Sequence, residues 1–451
     1  MTHRRGRPAG ATIRAPHAGR VRAYKTARGE TPVNAPQNRS DLPFAWPELG
    51  LRRVPYAVFT DPAIYQLEQE RIFRGPTWNY VALEAELPNP HDYVSTFIGD
   101  TPVVVTRDGE GALHAWVNRC AHRGALVCRD LRGNTQTHTC VYHQWAYDAS
   151  GALIGVPFRK GLGGKGGYPA DFDMAEHPLR PLRVASRRGV VFASFAEDGP
   201  GFEEYLGDTM LGNIDRVMHK PIEVIGYSRQ YVHANWKLYA ENTRDSYHAM
   251  LLHLFYPTFG IARPAQKVAI EMNEARYHNL FTVWQPSGKE SMDTYKQHTT
   301  RAIQGGQDAL ESPQFLRYIN ERGDDICITI ESLFPNSVFQ HIQNGMAVRQ
   351  IRPTAVDQFE LYWTYFGYAD DSEEMRAHRL RQANMLGPAG LIAMEDAEAG
   401  EIIQRAVSDG SNEQSFVEMG GYGTENLYDI SGTDENSIRG FWQGYRDLMG
   451  F

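Results

Sequence analysis

Two short runs in the first half of the chain put metal-binding side chains together: Cys120-Ala121-His122 and, seventeen residues later, Cys140-Val141-Tyr142-His143. Each offers one thiolate and one imidazole. Such a set can hold a tetrahedral zinc ion, or a [2Fe–2S] cluster with both thiolates on one iron and both imidazoles on the other. Zinc fingers place paired cysteines before paired histidines. Here each pair is mixed, C-x-H and then C-x-x-H, which favours the cluster. Neutral imidazoles in place of two thiolates lower the negative charge around the irons, so an added electron is held at a higher potential. Arg123-Gly124 fits a tight turn with a donor beside the cluster, and Trp145 and Tyr147 would close its other side. Cys128 and Cys327 then read as ordinary buried thiols.

A cluster of that kind passes single electrons, and a long stretch of chain remains to use them. A second concentration of ligand types lies in Glu241-Asn242-Thr243-Arg244-Asp245-Ser246-Tyr247-His248, continuing to His253. Two imidazoles and one carboxylate are the set that non-haem Fe(II) uses when positions must stay open for O2. His248 and His253 are five apart, about 140° around a regular helix. Both reach one ion only if the helix is distorted between them. Asp245, three before His248, can hydrogen-bond a ligand imidazole. The third ligand must come from elsewhere. Met394-Glu395-Asp396-Ala397-Glu398, just after Gly387-Pro388-Ala389-Gly390, supplies candidates. Asp396 is preferred, with Glu395 and Glu398 as alternatives; a helix carrying Glu395, Asp396, Glu398 and Glu401 also suits a solvated face.

The elements that must position these groups follow from periodicity and turn residues. Thr60 or Asp61 caps a predicted helix over Ala63–Phe73, with Pro62 in its first turn. From Trp78 to Phe195 short strands dominate: Asp92–Phe97, Pro102–Arg107, Leu113–Val117, Thr139–Tyr147 and Gly189–Phe195. The glycine run Gly161–Gly167 matches a nucleotide loop only by letter. No helix follows it, and Lys165 precedes Gly rather than Ser or Thr, so it reads as a flexible loop. Beyond it, helices are expected at Glu203–Met218, Trp236–Leu254, Ser372–Leu386, Leu391–Ala406 and Asn436–Met449. Strands are expected at Val224–Val232, Ala275–Phe281, Ile326–Ile330, Ser337–Gln343, Met346–Arg352 and Phe359–Tyr368. The fold class is α+β: an all-β [2Fe–2S] domain, and a catalytic domain of antiparallel sheet with helices packed on one face, helix-grip-like. The domain reading is 1–40 a disordered basic tail, 41–76 an N-terminal helical part of the catalytic domain, 77–196 the cluster domain and 197–451 the catalytic domain.

The composition narrows the class. Hydrophobic residues at 42% and charged residues at 22% are ordinary for a globular protein. A net charge of −8 makes nucleic acid an unexpected partner of the folded body. No apolar run is long enough to span a membrane. Four cysteines in 451 residues make no disulfide scaffold and suit a reduced, cytoplasmic protein. The Arg-rich start has no apolar region of a secretory signal and reads as a mobile tail.

Together the motifs resemble the large (α) subunits of Rieske non-haem iron aromatic-ring-hydroxylating dioxygenases, from about Phe44 to the C-terminus. The signatures are Cys120-Ala121-His122-Arg123-Gly124, Cys140 through Tyr147, Asn235-Trp236-Lys237 through His253, and Gly387 through Asp396. The resemblance implies that Cys120, His122, Cys140 and His143 hold the cluster and that His248, His253 and Asp396 bind Fe(II). It further implies that Asp245 bridges a cluster histidine of one subunit to an iron histidine of its neighbour, and that Asn242 lies near the iron. One departure is Ala397, where the family usually has Gly. The implied partners are a small β subunit in an α3β3 or α3 assembly, and a ferredoxin or reductase passing electrons from NAD(P)H.

Within the family the likeness is to enzymes of aromatic carboxylic acids: anthranilate and terephthalate dioxygenases and salicylate hydroxylase. It runs through Ile72–Trp78, Leu83–Pro88, Gly155–Arg159 and Arg439–Trp442. An anthranilate type is favoured by Lys237–Asp245. Tyr422–Ser437 lacks the basic residue that terephthalate enzymes resemble one another in having. Anthranilate would take O2 at its amino- and carboxyl-bearing carbons and lose CO2 and ammonia to leave catechol. The strand Val338–Asn344 is expected to turn Gln340, Ile342 and Asn344 to the pocket. Asn344, His341 or Arg349 would meet the carboxylate. The rivals from other classes are a Rieske electron carrier without oxygenase activity and a zinc-stabilised binding module.

Overall fold

A computed structural model describes residues 42–259, 266–286, 313–410, 413–428 and 430–451. The expected basic tail at 1–40 lies outside the described residues. Residues from Leu42 onward form one compact unit.

The predicted first helix begins where its cap requires. Asp61 accepts a hydrogen bond from the Ala63 N–H at 2.7 Å, and Pro62 occupies the first turn. Pro62–Glu68 is α-helical and then widens into a π-helical turn, Gln69–Phe73.

The cluster module is built of short antiparallel strands. One sheet runs Leu113–Val117, Thr101–Arg107, Asp92–Ile98, Arg132–Asn134, and another Arg183–Arg187, Val190–Ser194, Asn79–Leu83. The single strand expected at Thr139–Tyr147 is instead two short pieces, His138–Thr139 and Ala146–Tyr147, on either side of a turn. In that turn the Gln144 N–H returns to the Cys140 carbonyl, and Gln144 takes a left-handed φ of 55°.

The catalytic part is a seven-stranded antiparallel sheet in the order Ile222–Val232, Gln358–Tyr368, Gly345–Ala355, Ser337–Ile342, Ile326–Leu333, Asn279–Trp284, Val268–Met272. The strand read at Ala275–Phe281 is displaced, because 273–278 form the turn of a hairpin. Asn273 accepts the His278 N–H through its side chain, and Arg276 is left-handed at φ 71°.

Side-chain alternation gives the sheet two different faces. Val338, Ala347, Ile351, Trp363 and Tyr365 pack with Trp236, Leu238, Tyr239 and Ala393 from the helices Trp236–Asn242 and Leu391–Val407. Leu280, Phe339, Val348 and Phe366 point the other way. They pack against Tyr205, Met210 and Ile214 of the helix Phe202–Val217 and against Tyr80 and Phe192 of the cluster module. Helices therefore cover both faces, not one, because the apolar residues of the sheet alternate and each set needs cover.

The helix expected over Trp236–Leu254 is broken. Its first piece ends at Asn242, a second spans only Ala249–Leu252, and His253 is already outside helical geometry at φ −85°, ψ 76°. Side chains make the break. The Arg244 guanidinium takes the Ala240 carbonyl at 2.7 Å, and Asp245 Oδ1 accepts the N–H groups of Tyr247 and His248 at 2.8 and 3.3 Å.

Candidate metal centres and their cavity

The cluster candidates sit on two equivalent turns. The N–H groups of Gly124 and Gln144 each return to a cysteine carbonyl, of Cys120 and Cys140, at 2.9 Å. Gly124 needs its left-handed φ of 75° to close the first turn. Both cysteines are buried, and the rings of His122 and His143 lie 4.5 Å apart. Trp145 stacks on His122 with centroids 4.9 Å apart and planes 6° from parallel. Tyr147 brings its hydroxyl to 3.2 Å from Cys120 Sγ. These two aromatics do close the inner side of the turns. Burial, with His143 and Arg123 adding to it, holds the His122 pKa below its ordinary value. Its Nδ1 is buried with no hydrogen-bond partner. An imidazole with an orphaned nitrogen, on a turn that also carries a buried thiol, fits an iron ligand.

The second set converges although its members are far apart in sequence. Asp396 Oδ1 lies 3.4 Å from His248 Nε2 and 3.1 Å from His253 Nε2. One ligand atom from each of the three residues can be chosen so that all lie within 4.8 Å of one another. The broken helix is what allows this, since a continuous one would splay the imidazoles apart. Burial opposes the Asp396 carboxylate, but the two histidines outweigh it and hold the pKa well below the usual carboxylate range. Burial likewise opposes the His248 imidazolium, yet Asp245 and Asp396 raise its pKa to about 10. The three side chains thus converge on a single point. Two imidazoles and a carboxylate around it fit a divalent cation that takes the place of those protons.

Asn242 donates from Nδ2 to Asp396 Oδ1 at 3.0 Å and comes within 3.4 Å of His248 Nε2. Asp245 places Oδ2 3.3 Å from His248 Nδ1, and its side chain remains 26% exposed beside exposed Tyr247. Of the alternative third ligands, Glu395 lies behind His253, accepting from Nδ1 at 2.8 Å, and Glu398 is exposed.

These groups open into a cavity of about 1080 Å³. Phe281, Val283, Ile328, Ile330 and Ile342 line it from the sheet, joined by Ile392 and Arg349. Arg349 is buried and donates to Tyr239 Oη at 2.8 Å and to Gln340 Oε1. Its guanidinium lies over the Trp363 ring, and Nε has no partner. Among the described residues no carboxylate pairs with it.

Three expected pocket residues are placed elsewhere or otherwise engaged. His341 points to the opposite face of the sheet, where Nε2 lies 2.8 Å from Arg322. Asn344 lies in the turn beyond the strand and bonds Ile319 and Glu321. Gln340 shares the face of Ile342 but is occupied by Arg349. A strand alternates, so the neighbour of a pocket residue must point away, and the turn ends the alternation. The apolar lining from Phe281, Val283, Ile328 and Ile330 was missed. The alternation of the 326–333 strand carries that signal once one face is known.

A chain that carries both a Cys2His2 turn pair and a two-histidine, one-carboxylate centre has the donor sets of a Rieske-type iron oxygenase. Comparison with known proteins agrees. Residues 77–165 match the Rieske [2Fe-2S] domain, and residues 213–450 match the ring hydroxylating alpha subunit (catalytic domain). The large subunit of anthranilate 1,2-dioxygenase from Burkholderia cepacia is 51% identical over 401 residues, 88% of this chain and 94% of that protein. A terminal oxygenase alpha subunit of terephthalate 1,2-dioxygenase from Comamonas sp. is 45% identical, covering 88% and 95%. The solved naphthalene 1,2-dioxygenase from Rhodococcus sp. superposes with a TM-score of 0.73 at 25% identity, over 88% of this chain and 94% of that one. The chain belongs to the large (α) subunits of the ring-hydroxylating dioxygenases. It is an oxidoreductase whose cofactors are a Rieske [2Fe–2S] cluster and a mononuclear iron. No helix among the described residues is long and apolar enough to cross a membrane.

Proposed function

We propose that this chain is the terminal oxygenase of an aromatic carboxylic acid, with anthranilate as the substrate, converted with O2, two electrons and two protons to catechol, CO2 and ammonia. Support comes from one observation above the others: Arg349, a buried cation without a carboxylate partner, faces the same cavity as Asp396. Tyr239 and Gln340 satisfy part of this guanidinium but bring no opposite charge, and a substrate carboxylate supplies it with a charge-assisted hydrogen bond. The identity with the Burkholderia anthranilate enzyme supports the amino acid over the dicarboxylate.

In this reading Cys120, His122, Cys140 and His143 hold the cluster, and His248, His253 and Asp396 hold the iron. When bound, the two centres supply electrons one at a time and the activation of O2. Arg349 fixes the carboxylate, and the isoleucines and Phe281 hold the ring and exclude water around it. Asn242 keeps Asp396 oriented. Asp245, reaching the surface from His248, connects the iron site to a cluster histidine of a neighbouring copy. The division 41–76, 77–196 and 197–451, an α3β3 or α3 assembly, a ferredoxin or reductase fed by NAD(P)H, and a cytoplasmic location belong to the same proposal. The test is product analysis of the purified oxygenase, with its electron-transfer partners, on anthranilate, terephthalate, salicylate and aniline. Catechol from anthranilate, with little oxidation of the others, is expected. Preferred turnover of an aromatic without a carboxylate would overturn the proposal.

A further inference from the structure

We infer that Glu395 is a positioning residue for the iron site, holding His253 by Nδ1 so that Nε2 is presented to the ion. This rests on His248, His253 and Asp396 being the ligands. His253 stands at the end of a four-residue helix with non-helical backbone angles, so its main chain does little to fix its ring. The ring is gripped at both ends instead: Nδ1 is 2.8 Å from Glu395 Oε2 and Nε2 is 3.1 Å from Asp396 Oδ1. Tyr256 meets it edge-on, with ring centroids 5.7 Å apart and planes at 84°. An ionised carboxylate only accepts, so Glu395 draws the single N–H of a neutral imidazole to Nδ1 and leaves the lone pair on Nε2. The carboxylate also makes the ring a stronger donor to a metal.

The two histidines are not equivalent in this respect. His248 Nδ1 is 3.3 Å from Asp245 Oδ2 without an aligned hydrogen bond, and the other oxygen of Asp245 is spent on backbone N–H groups. His253 therefore has a carboxylate bonded to its ring, while the His248 ring has no aligned bond to Asp245. Glu395 and Asp396 are consecutive on one helix, about 100° apart around its axis. One turn of helix thus delivers a ligand and the support of its neighbour. Glu398, one turn later, is exposed and does not reach the site.

The experiment uses the full-length oxygenase with its cluster intact and its mononuclear iron removed anaerobically by a chelator. Fe(II) affinity is then measured by chelator competition, with Co(II) absorption as a probe of coordination geometry. Asp396→Ala should abolish binding. Glu395→Ala should weaken Fe(II) about 10–100-fold and alter the Co(II) bands. Glu395→Gln, whose amide oxygen can still accept from Nδ1, should stay within about threefold of the parent. Glu398→Ala should change nothing. Glu395→Ser serves as the truncation if the alanine variant does not fold. Wild-type affinity and bands in the truncated variant, with binding lost in Asp396→Ala, would overturn the role of Glu395 alone. Unchanged binding in Asp396→Ala would overturn the ligand assignment as well.

Discussion

Replacing Arg349 by Met removes the cation from the cavity while keeping much of its length and apolar bulk. The magnitude follows from the setting. A unit charge pair about 4 Å apart gives ~4 kcal/mol at an effective dielectric of 20. A hydrogen bond to a charged group in a protein contributes a net ~1.5–3 kcal/mol. Taking these as bounds, kcat/KM for anthranilate should fall by about 10- to 10³-fold. Aniline, which has the amino group but no carboxylate, should lose little. Arg349 also supports Tyr239 and Gln340, so a general loosening of the pocket must be told apart from a lost contact. The ratio of the two kcat/KM values does this, because loosening lowers both. The assay is O2 uptake and product formation with each substrate, alongside iron content and the cluster spectrum. Equal losses on anthranilate and aniline would refute the carboxylate contact.

Asp396→Ala should leave the cluster spectrum intact while iron content and hydroxylation are lost; full iron occupancy by metal analysis would remove Asp396 from the site. Asp245→Ala should keep both cofactors, yet turnover should fall by at least about 10² if this carboxylate joins the centres. Single-turnover oxidation of the pre-reduced cluster, coupled normally to product, would contradict that. Glu331 gives a pH test of stability. It is fully buried, and burial pushes its pKa from 4.5 up to about 8, with the Asn213 hydrogen bond opposing. Above pH 4.5 the unfolded chain releases a proton that the folded one keeps, so this group lowers stability as pH rises to about 8. The slope is at most ~1.4 kcal/mol per pH unit. Glu331→Gln should therefore gain stability relative to the parent between pH 5 and 8, read as a widening difference in melting temperature. A constant difference would show that Glu331 is already ionised in the fold.

Local spacing was enough to reveal the chemistry of each centre where the donors lie close together in the chain. Cys120 with His122, and Cys140 with His143, need only one turn each, and the turn residues are adjacent to the ligands. His248 and His253 are likewise close, and their awkward spacing already demanded a broken helix. Most strands and the last three helices were also legible, since alternation and the 3.6-residue period are local properties.

Which distant groups meet depends on the packing of elements far apart in the chain. Glu395, Asp396 and Glu398 are equivalent as letters on one helix. Their separation into support, ligand and exposed residue depends on how that helix is rotated against His248 and His253. Arg322 and Glu321 claimed His341 and Asn344 by contacts that no local pattern encodes, while Arg349 was left in the cavity without a carboxylate among the described residues. The sidedness of a strand is set by its register with neighbours far along the chain, and a one-residue slip exchanges every inward and outward side chain. That is why the metals could be read from spacing, while the pocket that selects the substrate could not.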